Sequence, residues 1–292
     1  MKSTKDHEVI SFCNKREDST ASTEVLSEVI SSIFNSYTTL PVSNLLCSDD
    51  DIVFIQSSTV YGQNRIIKGK MLKTSIRSLM SLDEKIFDIE LDKNGAVLFT
   101  QLSDVAESPI QMLLPSGEMK TVLDPKPMRL LALHLNKDNE LICGLREQGS
   151  PLPVHEFSVR QVVVFGKDYK KKITIETDIN GTKLFRYPSR IRTDSKNNIY
   201  VLDRRNTDQT GRIVATDKSG RLKFTYCGPN DFESFMPTSI VITPSDNIVL
   251  SVKSQDALLV LSSKGNLIAK QFVHELDITT PSALCIDSED FY

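Results

Sequence analysis

The sequence predicts an all-β fold: a six-bladed β-propeller, its last blade incomplete at the C-terminus and closed by a strand from the N-terminus. One recurring phrase is the first reason. Alternating apolar residues lead into a polar turn and then a second β-rich run, as in Phe87–Phe99, Leu131–Cys143, Ser189–Val201 and Ser239–Leu250. Weaker copies surround Leu46–Phe54 and begin at Ala283. Spacing is the second reason. The residues five before the first apolar residue of each second strand are Cys47, Asp92, Asn136, Asp194, Thr243 and Asp287, at intervals of 45, 44, 58, 49 and 44. A strand-built period of about 45 residues means radial repetition, because no single repeat can bury its own apolar face. Third, Gly69, Gly117, Gly220 and Gly265 fall between the third and fourth strands of their units. A tight hairpin there asks for a positive φ.

In chain order, residues 1–23 are polar and read as a flexible lead-in, and residues 24–292 form the propeller. The apolar run Val25–Phe34 suits a helical stripe or a strand. Ring closure favours the strand: an open ring leaves an exposed edge, and this run is placed to return as an outer strand of the sixth blade. From Val42 each unit reads strand, turn, strand, loop, strand, turn, strand. In the fourth, Ser189–Thr193 and Ile199–Leu202 flank the turn Asp194–Asn198, and Arg212–Asp217 and Arg221–Tyr226 flank Lys218–Gly220. The fifth repeats this over Ile240–Thr243, Asn247–Val252, Ala257–Ser262 and Asn266–Phe272. The third is long because Arg146–Arg160, with Gly149, Pro151 and Pro153, reads as an extended loop, and its outer turn is Lys167–Tyr169. The sixth begins at Pro281.

Charge is nearly balanced, 35 basic against 38 acidic residues, which argues against a wholesale polyanion binder. The five cysteines, Cys13, Cys47, Cys143, Cys227 and Cys285, are scattered without a Cys-x-x-Cys pair and read as reduced thiols of an intracellular protein. The N-terminal residues lack the apolar core of a signal peptide, and no run approaches about 18 apolar residues. The expected location is cytoplasmic.

The stretch Arg186–Asp203 resembles an NHL repeat, which runs Pro-x-x-Ile-x-x-Asp-x-x-Gly-Asn-Ile-Tyr-Val-x-Asp and continues with Asn and Arg. Asp203, Asn206 and Arg212 take those last three places, with extra residues before the Arg. Gly220–Gly228, Met236–Ile242 and Thr280–Asp287 are similar to the C-terminal propellers of tripartite-motif (TRIM/NHL-like) proteins of invertebrate type. The resemblance covers roughly residues 25–292. It implies a structural role for Asp203, Asn206 and Arg212 in tying blade loops together, and a substrate-recognition module of a ubiquitin-ligase system. The fifth unit departs from the pattern, with Val252, Gln255 and Ala257 in those places. Residues 1–40 offer only His7 and Cys13 toward the closely spaced zinc ligands of a RING or B-box. Ligase activity is therefore expected only with a RING outside this chain.

No catalytic residue, metal or cofactor is expected. His134 lies on a first strand near the axis, and His7, His155 and His274 lie elsewhere. A calcium-dependent propeller hydrolase, lactonase- or esterase-like, would need a cage of oxygen ligands drawn from Asp88, Glu90, Asp194 and Asp287. Asp194 and Asp287 sit where turn chemistry already favours Asp, and one blade does not make a cage. No nucleophile elbow, P-loop or dinucleotide fingerprint is present. The main signal is charge asymmetry. Arg160–Lys223 holds sixteen Lys/Arg and seven Asp/Glu, a net of +9 where the whole chain is −3. Arg190 and Arg192 leave one face of a first strand, toward the channel. Arg186 and Tyr187 precede that strand, and Arg204 and Arg205 follow the second one, at or near opposite ends of the inner strands. Arg186, Arg190, Arg192, Arg204 and Arg205 are the expected contact residues. The expected function is a non-catalytic protein-interaction platform, with RNA as the alternative ligand; aromatics for base stacking are few (Phe185, Tyr187, Tyr200). Neither a membrane nor a small-molecule substrate is expected as partner.

Overall fold

The computed structural model describes residues 8–12, 32–35, 42–48, 51–58, 64–72, 75–82, 86–101, 109–150, 153–204, 210–276 and 278–286. Two short strands come first, β1 (Glu8–Phe12) and β2 (Ser32–Asn35). The first blade is β3 (Val42–Ser48), β4 (Ile52–Ser58), β5 (Asn64–Leu72) and β6 (Ser75–Leu82). The second is β7 (Ile86–Leu91), β8 (Val97–Gln101), β9 (Ile110–Leu113) and β10 (Met119–Leu123). The third is β11 (Arg129–Leu135), β12 (Leu141–Arg146), β13 (Arg160–Phe165) and β14 (Lys171–Ile175). The fourth is β15 (Pro188–Thr193), β16 (Ile199–Arg204), β17 (Gly211–Thr216) and β18 (Leu222–Tyr226). The fifth is β19 (Ser239–Ile242), β20 (Ile248–Val252), β21 (Ala257–Leu261) and β22 (Leu267–Phe272). Each is a four-stranded sheet paired in sequence order, and the chain is an all-β propeller. Among the described residues no helix is long and apolar enough to cross a membrane.

The expectation of six blades is corrected to five. At the sixth place β23 (Cys285–Ile286) joins a three-stranded sheet in the order β2-β1-β23. There β1 runs parallel to β23, with Ser11 opposite Cys285, and β2 pairs antiparallel with β1. A parallel partner cannot come from a hairpin. This sheet is therefore made by the two ends of the chain meeting, not by the meander that builds a blade. β1 lies inside the segment read as lead-in. Of the expected closing run Val25–Phe34, residues 32–34 fall in β2 and residues 25–31 lie outside the described residues, as do Arg205, Asn206 and Asp287.

The inner turns share one geometry. Asp51, Gly95, Asn139, Asn197 and Asp246 take positive φ, each three residues after Ser48, Asp92, Asn136, Asp194 or Thr243. The side chain at the start of the turn satisfies the turn's own amides: Asp92 Oδ1 accepts from Asn94 N (2.8 Å) and Ala96 N (2.7 Å), and Asp194 Oδ1 from Lys196 N (2.9 Å) and Asn198 N (2.8 Å). The first unit's turn residue is therefore Ser48, one beyond the Cys47 read from spacing.

Cys47 instead belongs to the inner strand, and it is bonded to Cys285. Their Cα atoms lie 6.1 Å apart across 238 residues of sequence. This overturns the expectation of reduced cysteines throughout, because a closed ring makes the first and last inner strands neighbours. The junction is also sealed by Val42, Leu45, Val53 and Ile55, buried against Cys285, and by Ser282 Oγ donating to Val42 O (2.8 Å). Cys143 stays a buried thiol, which burial pushes up in pKa; Cys227 is exposed.

Neighbouring blades bury their facing sides against each other, as where Tyr200, Leu202 and Ile213 meet Ile240, Ile248 and Leu250. Gly265 (φ +85°) shows how tight this is: a Cβ there would lie 2.6 Å from the Phe224 ring of the preceding blade. Gly220 is squeezed likewise against Ile175. The structural roles read for both glycines thus have a second cause, the next blade. Gly69 does not share them: it lies inside β5, without a positive φ, where a Cβ would meet Ile76 Cγ2 at 2.5 Å. The turn without glycine, Lys167–Tyr169, supplies its positive φ through Tyr169 (57°).

Candidate functional site

The axis is lined by the first strand of each blade. In blades one and four the pairing between first and second strands slips just before Asn44 and Arg190, and in blade two Asp88 lies inside the slipped stretch between Ile86 and Ile89. A bulge re-aims the side chains at and beside it, and these three meet. Asn44 Nδ2 donates to Asp88 Oδ1 (2.8 Å) and to Ile89 O (3.2 Å). Asp88 Oδ2 accepts from Leu133 N of the third blade (3.1 Å). Arg190 crosses from the fourth blade, donating to Ser43 O of the first (2.8 Å) and pairing with Asp88 Oδ1 (3.4 Å). A second tier lies alongside. His134 Nδ1 is 3.0 Å from Glu90 Oε2, so it donates, because a carboxylate can only accept. His134 Nε2 is 3.0 Å from Thr193 Oγ1, and Arg192 is 3.5 Å from Glu90 Oε2. Four blades thus contribute to one buried, charge-paired cluster.

The two carboxylates titrate in opposite directions. Burial dominates at Asp88 and raises its pKa, against the pull of Arg190 and Arg192. At Glu90 burial also disfavours the charge, but Arg192 and His134 outweigh it and hold the pKa below the ordinary value. For a lowered pKa the stabilisation is complete above the unfolded value, near 4.3 for Glu, and is lost as pH falls through the folded value. Asp88 acts oppositely: its cost is complete above the raised folded value, fades as pH falls through it and is gone below the unfolded one. Asp203, which burial raises, shares the sign of Asp88, while Glu140, Asp194 and Asp217 share the sign of Glu90. The urea midpoint is therefore expected to drop from about pH 5 toward about pH 3, with a shallower drop in Glu90→Gln. A midpoint that rises on acidification would contradict this balance.

Arg190 and Arg192, read as contacts for a partner, are engaged in this cluster. Arg186 and Arg204 are exposed. They lie at the same end of the inner hairpin, not at opposite ends: Arg204 N donates to Tyr187 O (3.1 Å), and the Arg204 guanidinium stands 6.0 Å from the Tyr187 ring centre. Antiparallel strands bring the start of one beside the end of the next. Blade three adds Arg146, whose pKa burial lowers, with Arg129 and Arg160 pulling the same way and Tyr187 opposing. Asp203 is structural: its Oδ1 accepts from Arg186 N (2.8 Å) and Tyr187 N (2.7 Å), and its Oδ2 from Arg212 Nε (2.9 Å). Arg212 also donates to Leu184 O (2.8 Å), tying two loops together.

Asp194 is spent on its turn and on Tyr200 OH (2.9 Å). His155 lies in the long loop, and His274 packs at a tilt against Phe272, ring centres 5.7 Å apart. Among the described residues, no three His, Cys, Asp or Glu side chains converge to hold a metal ion. The signal for the axial cluster was the like spacing of Asp88/Glu90 and Arg190/Arg192 within their units; Asn44 and Thr193 gave none.

Fold and site together define a β-propeller with a charge-paired axis. No family model and no curated protein matches the chain. Solved structures do. Virginiamycin B lyase from Staphylococcus aureus superposes with a TM-score of 0.51 at 16% identity, covering 83% of this chain and 73% of that one. A protein of unknown function from Bacteroides caccae reaches 0.56 at 10% identity, over 96% and 98%. A candidate 6-phosphogluconolactonase from Bacteroides fragilis reaches 0.53 at 11%, over 97% and 99%. At these identities the likeness shows the fold alone.

Proposed function

We propose that this chain is a non-catalytic binding module, a protein-interaction propeller of the kind the NHL-like resemblance implies. It presents the Arg186–Tyr187–Arg204 end of the ring to an acidic segment of a protein partner. One observation carries the reading: the Arg204 guanidinium stands over the Tyr187 ring at an exposed end of the inner hairpin, with exposed Arg186 next in sequence. A link to a ubiquitin-ligase system and a cytoplasmic location belong to the same proposal. The Cys47–Cys285 bond weighs against the location, because disulfides persist in oxidising compartments.

The test is titration of a fluorescent glutamate-rich peptide and of a single-stranded oligouridylate into the oxidised protein. The peptide is expected to bind, and Arg186→Glu/Arg204→Glu to weaken it about tenfold or more. Tighter oligouridylate binding, falling by about 0.7 log units per log unit of salt for each phosphate neutralised, would favour the RNA reading. Binding of neither would refute both.

A calcium-dependent hydrolase is the second reading, favoured by the Glu90–His134 pair at the axis. Its donor set fits poorly: Asp88 and Glu90 share one strand and face Arg190 and Arg192, which a divalent cation would have to displace. Ester turnover that requires calcium would establish it.

A further inference from the structure

The long blade-three loop between β12 and β13 carries a phenylalanine that the fold leaves uncovered: Phe157 is 86% exposed. Ile179, on the turn between β14 and β15, is 98% exposed. Single exposed apolar side chains are ordinary on a protein surface. These two differ because each stands on a turn of fixed shape and the two turns are tied together. In the loop, His155 N donates to Ser158 Oγ (3.1 Å) and Ser158 N to His155 O (3.1 Å), while buried Arg146 donates to Glu147 O (2.9 Å) and Gly149 O (2.7 Å). In the turn, Asp178 Oδ1 accepts from Asn180 N (2.9 Å) and Thr182 N (2.8 Å), and Thr177 bridges to Lys183. Lys183 Nζ then donates to Glu156 O and to Ser158 O (2.7 Å), the carbonyls on either side of Phe157.

The apolar pair adjoins the basic end of the ring. Arg160, in the strand that follows Phe157, donates from Nε to Arg186 O (2.9 Å), and Arg186 lies one short step along the chain from Lys183. Phe157 and Ile179 therefore border Arg186, Tyr187 and Arg204. The charges beside the pair help to choose its occupant. Glu156 precedes Phe157 and Asp178 precedes Ile179, and the Lys183 ammonium is engaged by backbone carbonyls. An anionic bilayer would bring its headgroups against those two carboxylates. A protein segment can place its apolar side chains there and its carboxylates on the arginines.

We infer that this face binds a protein segment in which large apolar side chains adjoin acidic residues. The apolar part covers Phe157 and Ile179, and the acidic part meets Arg186 and Arg204. This rests on the basic-end reading above and narrows it from charge alone to two chemistries in a set order along the partner. Charge complementarity orients such a segment, and burial of a few large apolar side chains supplies much of its affinity.

The experiment is a fluorescence titration of the oxidised full chain at about 150 mM salt. The probes are an oligoglutamate, the same peptide extended by Leu-Phe at its N-terminus or its C-terminus, and Ser-Ser versions of each extension. Leu-Phe is expected to tighten binding about tenfold over Ser-Ser at one of the two ends. Phe157→Ser/Ile179→Ser is expected to keep the melting temperature, because both side chains already face solvent, and to bring the Leu-Phe peptide down to the affinity of its Ser-Ser control. Equal affinity of the Leu-Phe and Ser-Ser peptides at both ends, or a gain that survives in the folded double variant, overturns this inference and leaves the basic-end reading standing where the oligoglutamate still binds. Failure of every peptide to bind refutes both. Co-sedimentation with phosphatidylserine-containing vesicles, lost in Phe157→Ser/Ile179→Ser and joined to no gain from Leu-Phe, would assign the face to a bilayer and overturn the inference as well.

Discussion

Removing the Cys47–Cys285 bond is expected to lower stability by about 2–5 kcal/mol, at the upper end of what single disulfides contribute. The bond closes a span of 238 residues, and the entropy withheld from the unfolded chain grows with the logarithm of that span. It also acts where the ring is weakest. The last inner strand is a two-residue ladder, held to the first blade by Ser282 and a small apolar cluster. Urea unfolding of oxidised and reduced protein measures the effect. Cys47→Ser and Cys285→Ser are expected to cost similar amounts, and the double variant little more than either, because both remove the same bond. Cys227→Ser, at an exposed free thiol, is the control and is expected to leave the midpoint unchanged. Coincident transitions for oxidised and reduced protein would show that the bond contributes nothing to closure.

Arg190→Met is expected to cost about 3–5 kcal/mol, the scale of stripping one partner from a buried ion pair. Asp88 is 5% exposed and would be left charged without its guanidinium, and the hydrogen bond to Ser43 O across the channel would be lost as well. Asp88→Asn together with Arg190→Met is expected to recover much of that loss, since replacing a whole buried pair is far milder than breaking it. The double-mutant cycle isolates the coupling. A single variant as stable as the wild type would mean that Arg190 does not bridge the channel.

Strand positions were legible because alternation and turn chemistry act over a few residues. The fourth blade was read as Ser189–Thr193 and Arg212–Asp217, and the strands run Pro188–Thr193 and Gly211–Thr216. Gly117, Gly220 and Gly265 take the positive φ that their hairpins require. The axial cluster was legible only in part. Alternation places Arg190 and Arg192 on the channel side, but their charge reads as free until the second blade brings Asp88 and Glu90 opposite. His134, taken singly, reads as a packed histidine; its two partners lie 44 and 59 residues away.

Local order in this chain therefore belongs to the residues themselves: the all-β class, the repeat of about 45 residues and the turns that Asp92, Asn136 and Asp194 initiate. Blade number, the pairing of Cys47 with Cys285 and the neutralisation of the axial arginines were decided by how the blades meet around the axis. Those contacts join positions far apart in sequence, and nothing within a single repeat specifies which neighbour will face it.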